Sequence, residues 1–429
     1  MVLIRRLPKV AIRRGASTRA NPDGHPASLK ISNRSYLSDD FTNVTPKILS
    51  HLERNLLNEE GHPLNLLKRR IVDFFYNQFK GHMGNPVFSI YDRLPPVVSV
   101  QQNFDSLLIP KDHVSRSKSD CYYVNREHLL RAHTTAHQAE LVGMGLDNFL
   151  VFGDVYRRDE VDRTHYPVFH QADALRLRTP GQLSNLAGDK VTVFEGRSGK
   201  ETPEKQAEHS MDATKLMESE LKATLVGLAQ ALFGKDIRYR WVDVYFPFTH
   251  PSWELEVHFN GDWLEVLGCG ITRHDILKSA GAPGTIGWAF GLGLERLAML
   301  LYDIPDIRLF WSKDTGFLSQ FKGKAPSDAI RYRPLSVYPQ CYNDVSFWLP
   351  QDGIFQPNDF HELAREIGGD ILEQIELKDD FTHPKTGRRS LCYRMTYRHL
   401  EKTLTQEEVN IIHKAICDKA TETLGIVVR

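Results

Sequence analysis

The chain lacks any apolar run of about 18 residues, so no membrane-spanning helix is expected. It has only five cysteines, Cys121, Cys269, Cys341, Cys392 and Cys417, scattered and without a C-x-x-C pair. That pattern argues against a disulfide framework and a Cys-zinc site, and fits a reducing compartment. Net charge is zero, with 54 Lys plus Arg against 54 Asp plus Glu. Any nucleic-acid site must therefore be a local patch. Neither G-x-x-x-x-G-K-[ST] nor G-x-G-x-x-G occurs, so neither standard phosphate loop holds a nucleotide here. His133 and His137 have zinc-like spacing, but Thr134 stands where H-E-x-x-H needs its Glu. No third ligand is obvious, so zinc is not expected.

What is present suits a globular protein of two or three domains: 429 residues, 41% hydrophobic and 25% charged. The first 22 residues carry Arg5, Arg6, Lys9, Arg13, Arg14 and Arg19, with no acidic residue before Asp23. This is the composition of a mitochondrial transit peptide. The expected organisation is a transit peptide and disordered arm over 1–35, a catalytic domain over 36–309, a linker over 310–335 and a compact domain over 336–429.

Apolar spacing predicts helix from Thr45 to Phe79, and another from an Asn125 N-cap through Val142, ended by Gly143. Strands are expected at Phe149–Arg157 and Pro167–Leu177. Arg178–Glu208 is expected to be a surface insertion, followed by a helix from about His209 to Phe233. Asn260-Gly261-Asp262 between alternating runs predicts a hairpin. After Val337 the pattern is strand, helix capped by Asn358, two strands, a helix opened by the Thr405–Glu408 capping box, and a short strand. That order, β-α-β-β-α-β, is ferredoxin-like.

Three stretches carry chemistry. In Gly153–Asp173, Arg157 closes a strand, a loop follows, and Phe169, Gln171 and Asp173 alternate on the returning strand. A cation for phosphate, a loop to cover a nucleotide and an amide–carboxylate pair for an ammonium thus share one hairpin. Gly287-Trp-Ala-Phe-Gly-Leu-Gly-Leu-Glu-Arg296 puts glycines before an arginine in a helix's first turn, which favours an anion. Arg131-Ala-His-Thr-Thr-Ala-His-Gln138 and Tyr245-Phe-Pro-Phe248 add polar and aromatic groups. Activating a carboxylate with ATP needs such placement of two anions and no protein nucleophile.

These stretches resemble, in order, motifs of the class II aminoacyl-tRNA synthetases, in the form found in phenylalanyl-tRNA synthetases. The likeness runs from about Phe41 to the C-terminus and is close to the single-chain, mitochondrial members. It implies an α+β fold: an antiparallel sheet core flanked by helices, with a C-terminal ferredoxin-like anticodon-binding domain. It implies Arg157 and Arg296 as catalytic phosphate ligands, and Thr164, His165, Tyr166 and Glu265 as further ATP ligands, Glu265 with Mg²⁺. It implies a phenylalanine pocket of His133, Thr135, Ala136, His137, Gln138, Gln171, Asp173, Phe246, Phe248, Ala289 and Phe290. The family has Glu where Asp173 stands, one methylene longer. The basic cluster Arg388, Arg389, Arg394 and Arg398 is implied to hold tRNA(Phe). The partners implied are L-phenylalanine, ATP and tRNA(Phe), with no membrane, and the chain is expected to be a monomer in the mitochondrial matrix. Two alternatives remain: a class II-like paralogue that activates another acid or modifies RNA without aminoacylating it, and an RNA-binding protein that has lost catalysis, against which intact Arg157, Glu265 and Arg296 argue.

Overall fold

The computed structural model describes residues 27–429 except 53, 197–198, 260, 314, 335–337 and 351–354. The basic segment over 1–22, Asn260 of the expected turn and Val337 lie outside the described residues.

Seven strands form the main sheet: β1 (Ser89–Tyr91), β2 (Asn148–Tyr156), β3 (Val168–Arg178), β4 (Tyr239–Phe246), β5 (Thr249–Phe259), β6 (Asp262–Thr272) and β7 (Ile286–Gly293). Their spatial order is β1-β2-β3-β7-β6-β5-β4. All neighbours are antiparallel except β1 and β2. Helices α1 (Pro63–Gln78), α2 (Met211–Phe233) and α3 (Leu294–Tyr302) bury Phe75, Leu225 and Leu297 in one core with Leu255, Ile271 and Trp288 of the sheet. Strand alternation leaves the opposite face of β3 and β7 for the site: Phe169, Gln171 and Asp173 on one strand, Ala289 and Gly291 on the other.

Four strands make the C-terminal unit: β8 (Cys341–Trp348), β9 (Leu372–Thr382), β10 (Arg389–Tyr397) and β11 (Val427–Val428). They lie in the order β9-β10-β8-β11, all antiparallel. Helices α4 (Pro357–Gly368) and α5 (Gln406–Leu424) cover one face, burying Phe360, Ala364 and Ile416 against Phe347, Tyr393 and Met395. This is the expected ferredoxin-like order. Thr405 and Glu408 form the capping box.

Several local expectations need correction. The helix over 45–79 is three pieces, Pro46–His51, Leu56–Asn58 and Pro63–Gln78. Gly61 at φ 79° and Pro63 at the first helical position reset the chain between them. Asn125 caps no helix. Its side chain accepts from the backbone N–H of Glu127 (3.0 Å) and His128 (2.8 Å), a turn that opens the strand His128–Leu130. His133 is therefore extended, and only a 3₁₀ turn, Thr134–His137, precedes the short helix Gln138–Gly143. The two histidines do not share a helix face.

Asn358 does not cap α4 either; Gln356 holds that place, with Pro357 first in the helix. The Asn358 amide instead reaches the Ser119 carbonyl (3.4 Å) and Asp120 (3.3 Å) of the catalytic unit. The insertion over 178–208 includes a helix, Pro180–Ala187, and ends in buried Gln206, which donates to His250 O (2.8 Å) and Thr272 O (3.0 Å). The segment expected as a linker folds onto the main core through Phe310, Trp311, Phe317 and Phe321. Its aromatic spacing, hidden among prolines and glycines, was the missed signal.

The two units are joined by polar contacts, some of them buried. Glu373 pairs with Arg163 (2.6 Å) and Arg308 (3.3 Å), and Arg158 with Asp359 (3.0 Å). The hydroxyls of Tyr122 and Tyr166 donate to Glu362 (2.6 Å) and Asp370 (2.9 Å).

Candidate active site

Strands β2 and β3 set the first side chains. Arg157 follows the end of β2, where its backbone N–H donates to Pro167 O at 3.0 Å and so continues the strand pairing beyond Tyr156. Its Nε–H donates to Ala132 O (2.8 Å), and the guanidinium lies 5.2 Å from the Phe169 ring centre. Among the described residues no carboxylate lies within ion-pairing distance of it. Burial pulls its pKa down, as expected of a cation short of solvent and counter-ion.

Two cavities meet at this arginine. The larger, about 640 Å³, is lined by His133, Thr135, Gln138, Gln171, Asp173, Phe246, Phe248 and Ala289. The smaller, about 330 Å³, is lined by Thr164, His165, Tyr166, Glu265 and Arg296, together with Phe169. Arg157, Asp159, Gln171, Glu265 and Gly291 border both.

The larger cavity has a polar end and an apolar end. Asp173 is 8% exposed and accepts from the Thr135 hydroxyl. Burial raises its pKa to about 6. Gly291 faces it across the strand pair; a Cβ there would come within 2.7 Å of the Asp173 carboxylate. Gln171 Oε1 accepts from the Thr134 N–H (3.3 Å). At the apolar end Phe246 and Phe248 stack almost parallel, centroids 5.6 Å apart at 9°. Phe246 leans over Gly268, where a Cβ would stand 2.8 Å from its ring. Ala289 closes the wall with one methyl group.

Three residues expected to hold the amino acid are placed differently. Phe290 alternates with Ala289, so its ring falls on the helix side, stacked on Phe75 (5.8 Å, 24°), although the residue still borders the cavity. Ala136 is buried in a separate apolar cluster and does not line the cavity. His137 is also off the wall. It meets Arg131 Nη1 at 3.1 Å, and burial lowers its pKa to about 3.

Arg131 is the residue sequence reasoning missed. It is 2% exposed, donates to Asp154, Leu94 O (3.0 Å) and His137, and so anchors the run that carries His133, Thr135 and Gln138. Gly153 was its available signal: a Cβ there would collide with the Arg131 guanidinium at 2.5 Å.

In the smaller cavity His165 Nδ1 bonds Asp162 at 2.7 Å, a contact that raises the histidine pKa and biases it towards the cation. Arg296 lies in the first turn of α3, its side chain 58% exposed and 3.7 Å from Glu265. Glu254 has a raised pKa, from burial and then from Glu265 and Glu256 beside it. No cluster of three metal-ligating side chains occurs among the described residues. Mg²⁺ keeps several waters and needs only one or two carboxylates beside phosphate oxygens, so the donors at Glu265 and Glu254 fit it.

The arginines of the C-terminal unit are engaged. Arg389 pairs with Asp380 (2.6 Å), Arg394 with Asp344 (2.8 Å) and Arg398 with buried Glu373 (3.1 Å). Arg388 lies 5.1 Å from the Trp348 ring centre. Arg398 thus faces the interface between the units, apart from the others.

The sequence that builds this site has close counterparts. The model of the tRNA synthetases class II core domain (F) matches residues 50–201 and 202–321, and that of the ferredoxin-fold anticodon binding domain matches 336–429. A probable mitochondrial phenylalanine–tRNA ligase of Drosophila melanogaster is 56% identical over 96% of this chain and 94% of its own. The chain belongs to the phenylalanine–tRNA ligases of class II. The mitochondrial enzyme of Mus musculus is 52% identical over 96% of this chain and 91% of its own. That of Saccharomyces cerevisiae is 40% identical, over 94% and 95%. The likeness to these phenylalanine–tRNA ligases therefore spans both the cleft and the C-terminal unit.

Proposed function

We propose that the larger cavity holds phenylalanine and the smaller one ATP, with the reacting groups meeting at Arg157. The reaction is the ATP-dependent attachment of phenylalanine to tRNA(Phe) for mitochondrial translation, through a phenylalanyl-adenylate. The observation that carries this reading is the shared border of two unlike cavities. One ends in two stacked phenylalanines and a buried carboxylate. The other is lined by arginines and a histidine held towards its cation.

Asp173 and Gln171 take the substrate ammonium, with Thr135 orienting the carboxylate. His133 and Gln138 complete the polar end, and the side chain lies against Phe246 and Phe248 with its far end at Ala289. The carboxylate of phenylalanine attacks the α-phosphorus in line, and pyrophosphate leaves. Arg157 offsets the charge that builds on the phosphorus oxygens, and it does so strongly because it is desolvated and has no counter-ion. Arg296, Thr164, His165 and Tyr166 hold the nucleotide, with Phe169 beside it. Glu265, with Glu254, would hold Mg²⁺ against the phosphates, where it would supply further charge neutralisation. In the second step the tRNA's terminal ribose hydroxyl attacks the acyl carbon of the adenylate, the ester forms and AMP leaves.

The C-terminal unit contacts the anticodon arm through Arg388, Arg389 and Arg394. The chain works as a monomer, since both units lie on it, and acts in the matrix, to which the basic first 22 residues direct it. Sedimentation and import of a chain lacking residues 1–22 test those two points. Pyrophosphate exchange with each amino acid in turn tests the main reading. Phenylalanine alone should drive exchange; exchange with another acid, or none, would remove it.

A further inference from the structure

Strand β7 ends at Gly293, whose last ladder partner on β3 is Gln171. The next residue on β3, His170, has lost that neighbour. Its backbone N–H donates instead to Glu295 Oε2 (2.7 Å), and its Nδ1–H donates to Glu295 Oε1 (2.6 Å). Both side chains are buried, 1% and 3% exposed. The ring of His170 is also stacked on Trp311, 5.9 Å away at 26°.

Burying a carboxylate here has a cost that an apolar residue would avoid, so pairing alone does not explain its presence. Its place in the chain does. Helix α3 begins at Gly293, which has no side chain to cap it. Glu295 is the first-turn residue tied to the sheet, and Arg296 is its neighbour. Arg296 has little of its own to hold it: its side chain is mostly exposed, with one 3.7 Å approach to Glu265. A two-point bond at Glu295 fixes both the rotation and the depth of that first turn. Strand β3 is held independently, by β2 and β7 on either side.

We propose that Glu295 and His170 are positioning residues that aim Arg296 into the nucleotide cavity. The inference rests on the assignment of Arg296 to ATP. It predicts a selective defect: loosening the pair moves the helix start and spares phenylalanine, whose polar ligands sit on the pinned strand and the 131–138 run and whose apolar wall lies on other strands of the sheet.

The test uses the full chain and four variants. Arg296→Ala is the reference. Glu295→Gln turns an amide N–H towards one of two donors, His170→Phe removes the ring donor, and His170→Asn restores a donor near the Nδ1 position. Pyrophosphate exchange gives KM for ATP and for phenylalanine, and calorimetry of phenylalanine binding reports folding of each variant. Glu295→Gln and His170→Phe should raise KM for ATP by about tenfold and lower kcat, with phenylalanine affinity within about twofold. His170→Asn should recover most of the loss. Equal losses for both substrates, an unchanged KM for ATP, or no advantage of Asn over Phe would overturn the pair's role. If Arg296→Ala itself leaves KM for ATP unchanged, the assignment of Arg296 falls, and the pair has nothing to aim.

Discussion

The cleft and the C-terminal sheet both present arginines, but in opposite electrostatic states. Arg157 is half-buried in the cleft and lacks an ion pair among the described residues, held by a carbonyl and a ring. Arg389, Arg394 and Arg398 each have a carboxylate within 3.1 Å. A partly desolvated cation without a counter-ion is costly, and an incoming anion relieves that cost. A surface cation with a partner contributes little to stability, and its field is half-cancelled before any ligand arrives. The first arrangement suits stabilising charge that develops at one point. The second suits a weak, salt-dependent hold on a long polyanion.

The comparison is most exposed to failure at Arg157. Arg157→Ala should lower kcat for phenylalanine-dependent pyrophosphate exchange by about 10²–10³, the scale for removing one preorganised donor of transition-state charge. Folding should survive, because the change removes a half-buried, unpaired charge that lines the cleft rather than a core side chain. Normal exchange, or a chain that no longer folds, would show that the difference between the two arginine sets carries no functional meaning.

A second prediction sharpens the cleft side alone. Ala289 closes the apolar end, and its methyl group sets the room beyond the ring. Ala289→Gly should admit para-chlorophenylalanine, changing discrimination against it by about 1–3 kcal/mol in kcat/KM. The change is confined to the wall, so exchange with phenylalanine itself should alter far less. If selectivity stays fixed, the ring does not point at Ala289.

The contrast also separates what was legible in the residues from what was not. Alternation placed Phe169, Gln171 and Asp173 on one face, because a strand's period is fixed by its backbone. The same rule, applied to β7, would have put Phe290 opposite Ala289; the shared aromatic spelling hid that. The six-element order of the C-terminal unit was legible from caps and periods. The break at Gly61 and the turn at Asn125 were not, because apolar spacing alone does not separate one long helix from short pieces. Least legible were the partners of charged residues. Asp344 and Arg394 lie 50 positions apart, and Arg398 and Glu373 meet only through the β9–β10 pairing. Whether an arginine is free is a fact of tertiary structure.

Asp173 gives a pH test of the cleft. Its carboxyl, with a pKa raised to about 6 by burial, is ionised above that value and protonated below it. The substrate ammonium favours the ionised form, so phenylalanine affinity should be full at pH 7 and fall as pH drops through 6. Between pH 7 and pH 5 the loss should approach about tenfold. Asp173→Asn should bind weakly with no such slope. A flat profile in the unmodified chain would mean that Gln171 and Thr135 carry the ammonium without the carboxylate.

The smallest effects should come from the paired arginines, and they divide that set in two. Arg394 is half-exposed on the open face of its sheet, opposite the face covered by α4 and α5. Arg394→Glu removes one phosphate-binding charge and leaves Asp344 without its partner. Affinity for tRNA(Phe) should fall by a few fold, and the salt dependence of binding should lose about one unit of slope. Thermal stability should hardly move, since an exposed, solvent-screened pair contributes little. Arg398 predicts the reverse. Its partner Glu373 is fully buried and also holds Arg163 and Arg308 across the interface. Arg398→Gln should lower the melting temperature and leave the salt slope unchanged, because that side chain is committed to the join between the two units. Equal loss of slope in the two variants would mean that tRNA displaces Glu373 from Arg398, and that the C-terminal cations are as available to an anion as the one in the cleft.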